Sequence, residues 1–299
     1  MTINQKKLDI KSLISDYSIE TTPNVYSKYE SFIDILPLKN HIYITYLPDE
    51  SASRVIHTAK KLIDEGFEVV PHLPARTMKN YSELESYVGS LSEKSGCNKI
   101  LLIGGGEKQK GEITSSLDVL KTELFSKFNY IEVGLAGHPE GNPDIPDEEL
   151  NKAIINKNQF AKNVDYKMYL ITQFFFEASS LIKWEKHLES LNNSLSIHAG
   201  IPGPATLGTL VSYATSCGIG NSIRFLSKQA KNITKLTKTR TPDKLIADLA
   251  DYKRSNPSSK LCKLHFYAFG GIKKTSDWIK LINHSNLIIN ENNEFKIQS

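Results

Sequence analysis

Lys167-Met168-Tyr169-Leu170-Ile171-Thr172-Gln173-Phe174-Phe175-Phe176-Glu177 is the stretch on which the reading of this chain turns. Its apolar part reads as a strand that ends at Gln173 and runs almost at once into an aromatic helix start. A strand this apolar is covered on both faces, as in a parallel sheet flanked by helices. Folds of that kind bind small molecules at the carboxyl ends of their strands, and Gln173 falls at such an end. A carboxamide holds donors and an acceptor in one plane, which suits the edge of a flat heterocycle. A solvated Gln173 beside a run of core phenylalanines remains the plainer alternative on this stretch alone.

Strand and helix patterns alternate on both sides of it. Towards the amino terminus, strands are expected at about 16–20, 41–46, 67–71, 99–103 and 130–136. The first leads through Thr21-Thr22-Pro23-Asn24, cap and turn chemistry, into an amphipathic helix to about Leu36. Further helices are expected from about Ser51, over 81–91, over 116–125 and from Asp147-Glu148-Glu149. Towards the carboxyl terminus follow a helix to about Leu191, strands at 195–198 and 263–267, and a helix over 275–283. Between those two strands, Thr241 reads as a helix cap with Pro242 at the first helical position and Asp243 in the first turn. Eight strand–helix units with no Pro/Gly/Ser-rich linker predict a single α/β domain over 1–299, a (β/α)8 TIM barrel. It carries a short amino-terminal extension (about 1–14) and extra helices at about 205–255. A doubly wound open sheet is the alternative.

The bulk composition fits a soluble enzyme. In 299 residues, 39% are hydrophobic, and 37 basic residues nearly balance 33 acidic ones for a net charge of +4. No basic-aromatic block points to nucleic acid, while a mild positive excess suits anionic small molecules such as nucleotides or folates. Cys97, Cys217 and Cys262 are far apart and form no CxxC pair, which reads as reduced thiols in a cytoplasmic protein. No apolar run reaches the length of a membrane span or a signal region.

The expected strand ends carry Glu20, Tyr46, His72, Gly104-Gly105-Gly106, His138, Gln173, His198, Gly200, Tyr267 and Phe269. Glu20 is the one acid in this set and reads as a general acid, or else as a loop-holding ion-pair partner. The histidines lack the close pair and late Asp of a metal-dependent barrel hydrolase, so no metal is expected. Lys167 opens a strand instead of closing one, which argues against a Schiff-base enzyme. The glycine triplet offers a concave anion site, a close approach for a planar ring, or a permissive turn. It does not fit a dinucleotide fingerprint, and no P-loop is present.

Taken in order, Ser18-Ile19-Glu20, Ile44-Thr45-Tyr46, Pro71-His72-Leu73, Gly137-His138-Pro139-Glu140-Gly141-Asn142-Pro143, Ile171-Thr172-Gln173-Phe174-Phe175-Phe176, Gly200-Ile201-Pro202 and His265-Phe266-Tyr267 resemble the methylenetetrahydrofolate reductase family, from about residue 16 to 285. The resemblance implies a (β/α)8 barrel that reduces 5,10-methylenetetrahydrofolate to 5-methyltetrahydrofolate, with NAD(P)H as hydride donor, FAD in the barrel mouth, and a commonly oligomeric assembly. It implies Glu20 as the acid that protonates N10, and folate contacts at Gln173, Phe175 and Tyr213, the last where the family usually has a Phe. Flavin contacts map onto Thr45, His72, Gly104, Gly105, Gly106, His138, Asn142, Asn158 and Lys162, the last two on the helix before the sixth strand. This chain also departs from the family. Gly104-Gly105-Gly106 replaces an Arg-Gly-Asp, His138 a common Tyr, Asn142 a common His, and Ala268-Phe269-Gly270-Gly271 an Arg-containing segment. The retained positions favour FAD. The lost charges leave room for direct hydride transfer from NAD(P)H, or for a folate-dependent methyl or methylene transferase on the same barrel.

Overall fold

Each short apolar run folds as a strand covered on both faces, and each amphipathic segment between runs supplies cover. The computed structural model describes residues 2–105, 108–229 and 236–298. Its strands are β1 (Tyr17–Thr21), β2 (His41–Ile44), β3 (Glu68–Pro74), β4 (Lys99–Ile103), β5 (Glu132–Gly137), β6 (Lys167–Phe174), β7 (Ser196–Pro202) and β8 (Leu261–Tyr267). They close into a barrel in the order β1-β8-β7-β6-β5-β4-β3-β2. This is the (β/α)8 TIM barrel that the strand–helix alternation implies. The main helices are α1 (Ile3–Ser15), α2 (Ala52–Asp64), α3 (Tyr81–Ser95), α4 (Asp147–Phe160), α5 (Ala178–Ser190), α6 (Leu207–Ser216), α7 (Gly220–Gln229), α8 (Asp243–Ser255) and α9 (Ile272–His284). Local chemistry sets their ends. Ser51 and Asn80 cap α2 and α3 by accepting from the N–H groups of Arg54 and Glu83, and a left-handed Gly96 ends α3. None of the described helices is long and apolar enough to cross a membrane.

The chain divides into two units. One comprises Ile19–Gly137 and Ala153–Ile171. Within it, Tyr43, Val70, Leu101, Tyr169 and Ile171 form a buried cluster, in which the hydroxyls of Tyr43 and Tyr169 share a 2.6 Å hydrogen bond. At its strand starts, Lys99 Nζ sits 3.2 Å from Glu68, 3.4 Å from Glu132 and 3.3 Å from His41. The other unit comprises Met1–Ser18, His138–Lys152 and Thr172–Ser299. There β7 and β8 run parallel with His265 opposite Gly200 and Tyr267 opposite Pro202. Phe174, Leu207, Leu210, Ala214, Ile219 and Leu226 form its second cluster, edged by Phe176, Phe225, Tyr267 and Phe269.

Several boundaries differ from the sequence reading, each for a local reason. The helix after Pro23 stops at Tyr26, because the Glu65 carboxylate accepts from the Tyr26 hydroxyl and, at 2.9 Å, from the Phe32 N–H. The helix expected over 116–125 breaks at Glu123, whose φ is 57°, into Ser116–Leu120 and Leu124–Lys127. Phe174-Phe175-Phe176 does not open a helix, since α5 begins at Ala178. The strand expected at 195–198 continues to Pro202, which leaves His198 inside β7. Asp243 opens α8 with Pro242 at the cap position, and Thr241 donates its hydroxyl proton to the Asp243 carboxylate.

Candidate functional site

In the unit that contains Glu20, three expected residues come together. Thr45, the residue after β2, is set beside β1 by its N–H, which donates to the Thr21 carbonyl at 2.9 Å. Its hydroxyl donates to Glu20 Oε2 at 3.2 Å. His72 lies inside β3, where its Nε2 stands 3.3 Å from Glu20 Oε1. The Glu20 and His72 side chains are only 15% and 7% exposed, so this contact is shielded from bulk water. Edge-on packing against Tyr43, with ring centroids 6.4 Å apart, holds the His72 ring. Burial, reinforced by the neighbouring Tyr169, pushes the Tyr43 hydroxyl well above its ordinary pKa, so it stays neutral and does not compete as an acid. A carboxyl between a hydroxyl donor and an imidazole can hold a proton in a fixed place and receive another in its stead.

β4 ends at Ile103, and Gly104 just beyond it lies against an arginine that the sequence reading did not single out. Ala75–Thr77 is a single 3-10 turn directly after β3. The Arg76 N–H donates to the Gly104 carbonyl at 3.0 Å, and its Nε approaches the same oxygen at 3.4 Å. A Cβ at Gly104 would stand 3.4 Å from Arg76 Nη2. Gly105 turns the chain with φ +90°, and Gly106 lies outside the described residues. No local signal in the sequence marks Arg76, whose approach to Gly104 comes from the fold.

The unit that contains Gln173 supplies an amide and an aromatic wall. Gln173 is half-buried, and β6 holds it firmly. The neighbouring Thr172 accepts from the Tyr267 hydroxyl through its carbonyl at 2.9 Å and from the Gly200 N–H through its own hydroxyl at 2.7 Å. Tyr213 on α6 stacks on Phe269 with centroids 4.0 Å apart and planes 19° apart, and is 43% exposed. Phe269 also stacks on Tyr267 and meets Phe174 edge-on. Phe175, expected at the substrate, is completely buried and belongs to the core. His198 is likewise buried.

Most of the positions that the resemblance maps to flavin contacts have a local role among the described residues. Thr45 and His72 both face Glu20. The Asn142 side-chain oxygen accepts from the Asp144 N–H at 2.9 Å and closes its own loop. In that loop His138 is half-buried directly after β5. Glu140 ties it down by accepting from the Ser180 hydroxyl and from both the N–H and hydroxyl of Ser222. Asn158 is buried and donates to the Ile154 carbonyl one turn back along α4. Lys162 is not on that helix but exposed in the turn after it. Gly104 and Gly105 bring no side chain to the end of β4.

A Clostridium thermocellum protein described as binding two copies of 5-methyl-5,6,7,8-tetrahydrofolic acid superposes with a TM-score of 0.57 at 14% identity, covering 94% of this chain and 97% of that one. A xylose isomerase domain protein of Salmonella typhimurium gives a TM-score of 0.47 at 11% identity, covering 91% and 97%. These likenesses concern the fold. The family model for methylenetetrahydrofolate reductase matches residues 20–219, from Glu20 through the stretch that carries Gln173 and Tyr213. The chain is therefore a member of the methylenetetrahydrofolate reductase family.

Proposed function

We propose that this protein reduces 5,10-methylenetetrahydrofolate to 5-methyltetrahydrofolate, with hydride passing directly from NAD(P)H to the folate. The observation that carries this reading is the shielded Glu20, held by Thr45 and His72. Opening the folate's five-membered ring needs a proton delivered to N10, which breaks the bond from N10 to the bridging carbon and leaves an iminium at N5. Glu20 is the donor, and His72 is placed to return a proton to it. Hydride from the dihydronicotinamide then adds to the iminium carbon, giving the methyl group and NAD(P)+. Orientation of the two reactants supplies much of the rate. The Gln173 amide reads the pterin edge and Tyr213 offers its exposed ring as a platform. 5-Methyltetrahydrofolate, the product, is also the ligand described for the Clostridium thermocellum barrel. A one-carbon transferase would need room for an acceptor at the end of β4, where Arg76 lies.

The test is turnover of methylenetetrahydrofolate with NADH or NADPH, without added flavin, by the wild type and by Glu20→Gln. Turnover is expected in the wild type and a loss of about a hundredfold to ten-thousandfold in E20Q, with folate affinity held within a few-fold. Equal rates would remove Glu20 from the chemistry. An absolute requirement for FAD would overturn the direct transfer.

A further inference from the structure

We infer that Arg76 is the oxyanion-binding residue of this site, taking a phosphate or carboxylate group of a ligand. Its guanidinium is partly buried, and no acid among the described residues pairs with it. Among the described residues, its guanidinium is engaged only through Nε, and weakly, with the Gly104 carbonyl at 3.4 Å. Most of its donors therefore remain available, in the planar fork that matches carboxylate and phosphate oxygens. A half-buried cation without a counter-charge is costly to keep, and an anionic ligand group removes that cost.

The arginine is also pre-positioned. Its N–H and carbonyl are both bonded, to the Gly104 carbonyl at 3.0 Å and from the Lys110 N–H at 2.9 Å. The Thr77 hydroxyl closes the turn on the Pro74 carbonyl at 2.8 Å. Backbone held this way loses little further freedom on binding, which favours affinity. The guanidinium lies over the end of β4, where a Cβ on Gly104 would meet Nη2 in van der Waals contact at 3.4 Å and a branched side chain would reach into its space. Arg76 follows His72 by one turn of chain, so the anion site and the Glu20 contact grow from the same strand end. The source of the anion rests on the proposed reaction, whose two ligands carry it as folate glutamate carboxylates and as dinucleotide phosphates. The presence of the anion site does not.

The experiment measures binding of inorganic pyrophosphate, 5-methyltetrahydrofolate, NADH and NADPH by calorimetry to the wild type, Arg76→Ala, Arg76→Lys and Gly104→Val. Pyrophosphate affinity is expected to fall about tenfold to a hundredfold in R76A. R76K should be intermediate because it keeps the charge and loses the fork, and G104V should follow R76A although it retains the arginine. A parallel loss confined to the nucleotides assigns the phosphate, and one confined to the folate assigns the carboxylate. Unchanged affinities for all four probes in R76A and G104V would overturn the inference, as would a wild type that binds none of them. A wild type that binds pyrophosphate through Arg76 but no folate would sink the proposed function and leave the anion site standing.

Discussion

At the scale of single residues, the site depends on atoms that are missing as much as on those present. Gly200 lies on β7 beneath the chain that carries Gln173, and a Cβ there would come within 2.5 Å of the Thr172 carbonyl oxygen and 2.7 Å of the Gln173 carbonyl oxygen. These are backbone atoms that no rotamer change can move. Gly200→Ala is therefore expected to destabilise the protein by about 3 kcal/mol and to weaken folate binding by displacing Gln173. Urea melts and a folate titration check this, and an unchanged urea midpoint would show that β7 yields more easily than its geometry implies. Gln173 was legible in the sequence because a polar residue closing an apolar strand has few explanations. Phe175 is fully buried beside the likewise buried Phe174, and an apolar run does not by itself tell a core ring from a ligand platform. Arg76 was missed because nothing local distinguishes an arginine lying over a glycine from one in solvent.

At the scale of elements, strands were easier to read than the segments that join them. Apolar runs bounded by turn residues were recovered to within a few positions, whereas the loop after Tyr26 and the break at Glu123 depend on a distant carboxylate and a left-handed backbone. Helix α4 shows another limit. Asn158, which the resemblance maps to a flavin contact, is buried in the structure, as is its neighbour Lys157. Loss of hydration pushes the Lys157 amine down to about 8, and no acid among the described residues pairs with it. The folded state therefore binds fewer protons than the unfolded chain between pH about 8 and the usual lysine value near 10.4. The penalty is present in full below pH 8 and fades as pH rises through that window. Lys157→Met should be more stable than the wild type by about 2 kcal/mol at pH 7, with the difference closing towards pH ~10. Denaturation curves at both values decide it, and a pH-independent difference would mean that packing, not charge, is responsible.

At the scale of the whole molecule, the closed barrel was legible because regular alternation over the full length leaves few other solutions, and three thiols report on its integrity. Cys217 and Cys262 are exposed while Cys97 is buried. Its Sγ donates to the carbonyls of Val69 and Lys99, and burial pushes its pKa up to about 12. Since the thiolate is the reactive form, a disulfide reagent should modify two of the three cysteines quickly in the native protein and the third only at the rate of global opening. Equal rates for all three would place Cys97 in a region that opens locally. The cover that Arg76 lays over Gly104 has a consequence for descent. A branched or longer residue at position 104 would reach into space that the guanidinium fills, so a change at either position is expected to be felt at the other. In a lineage moving between a charged end to the fourth strand and the bare one found here, the order in which the two positions change would then set how well the intermediate holds its anion.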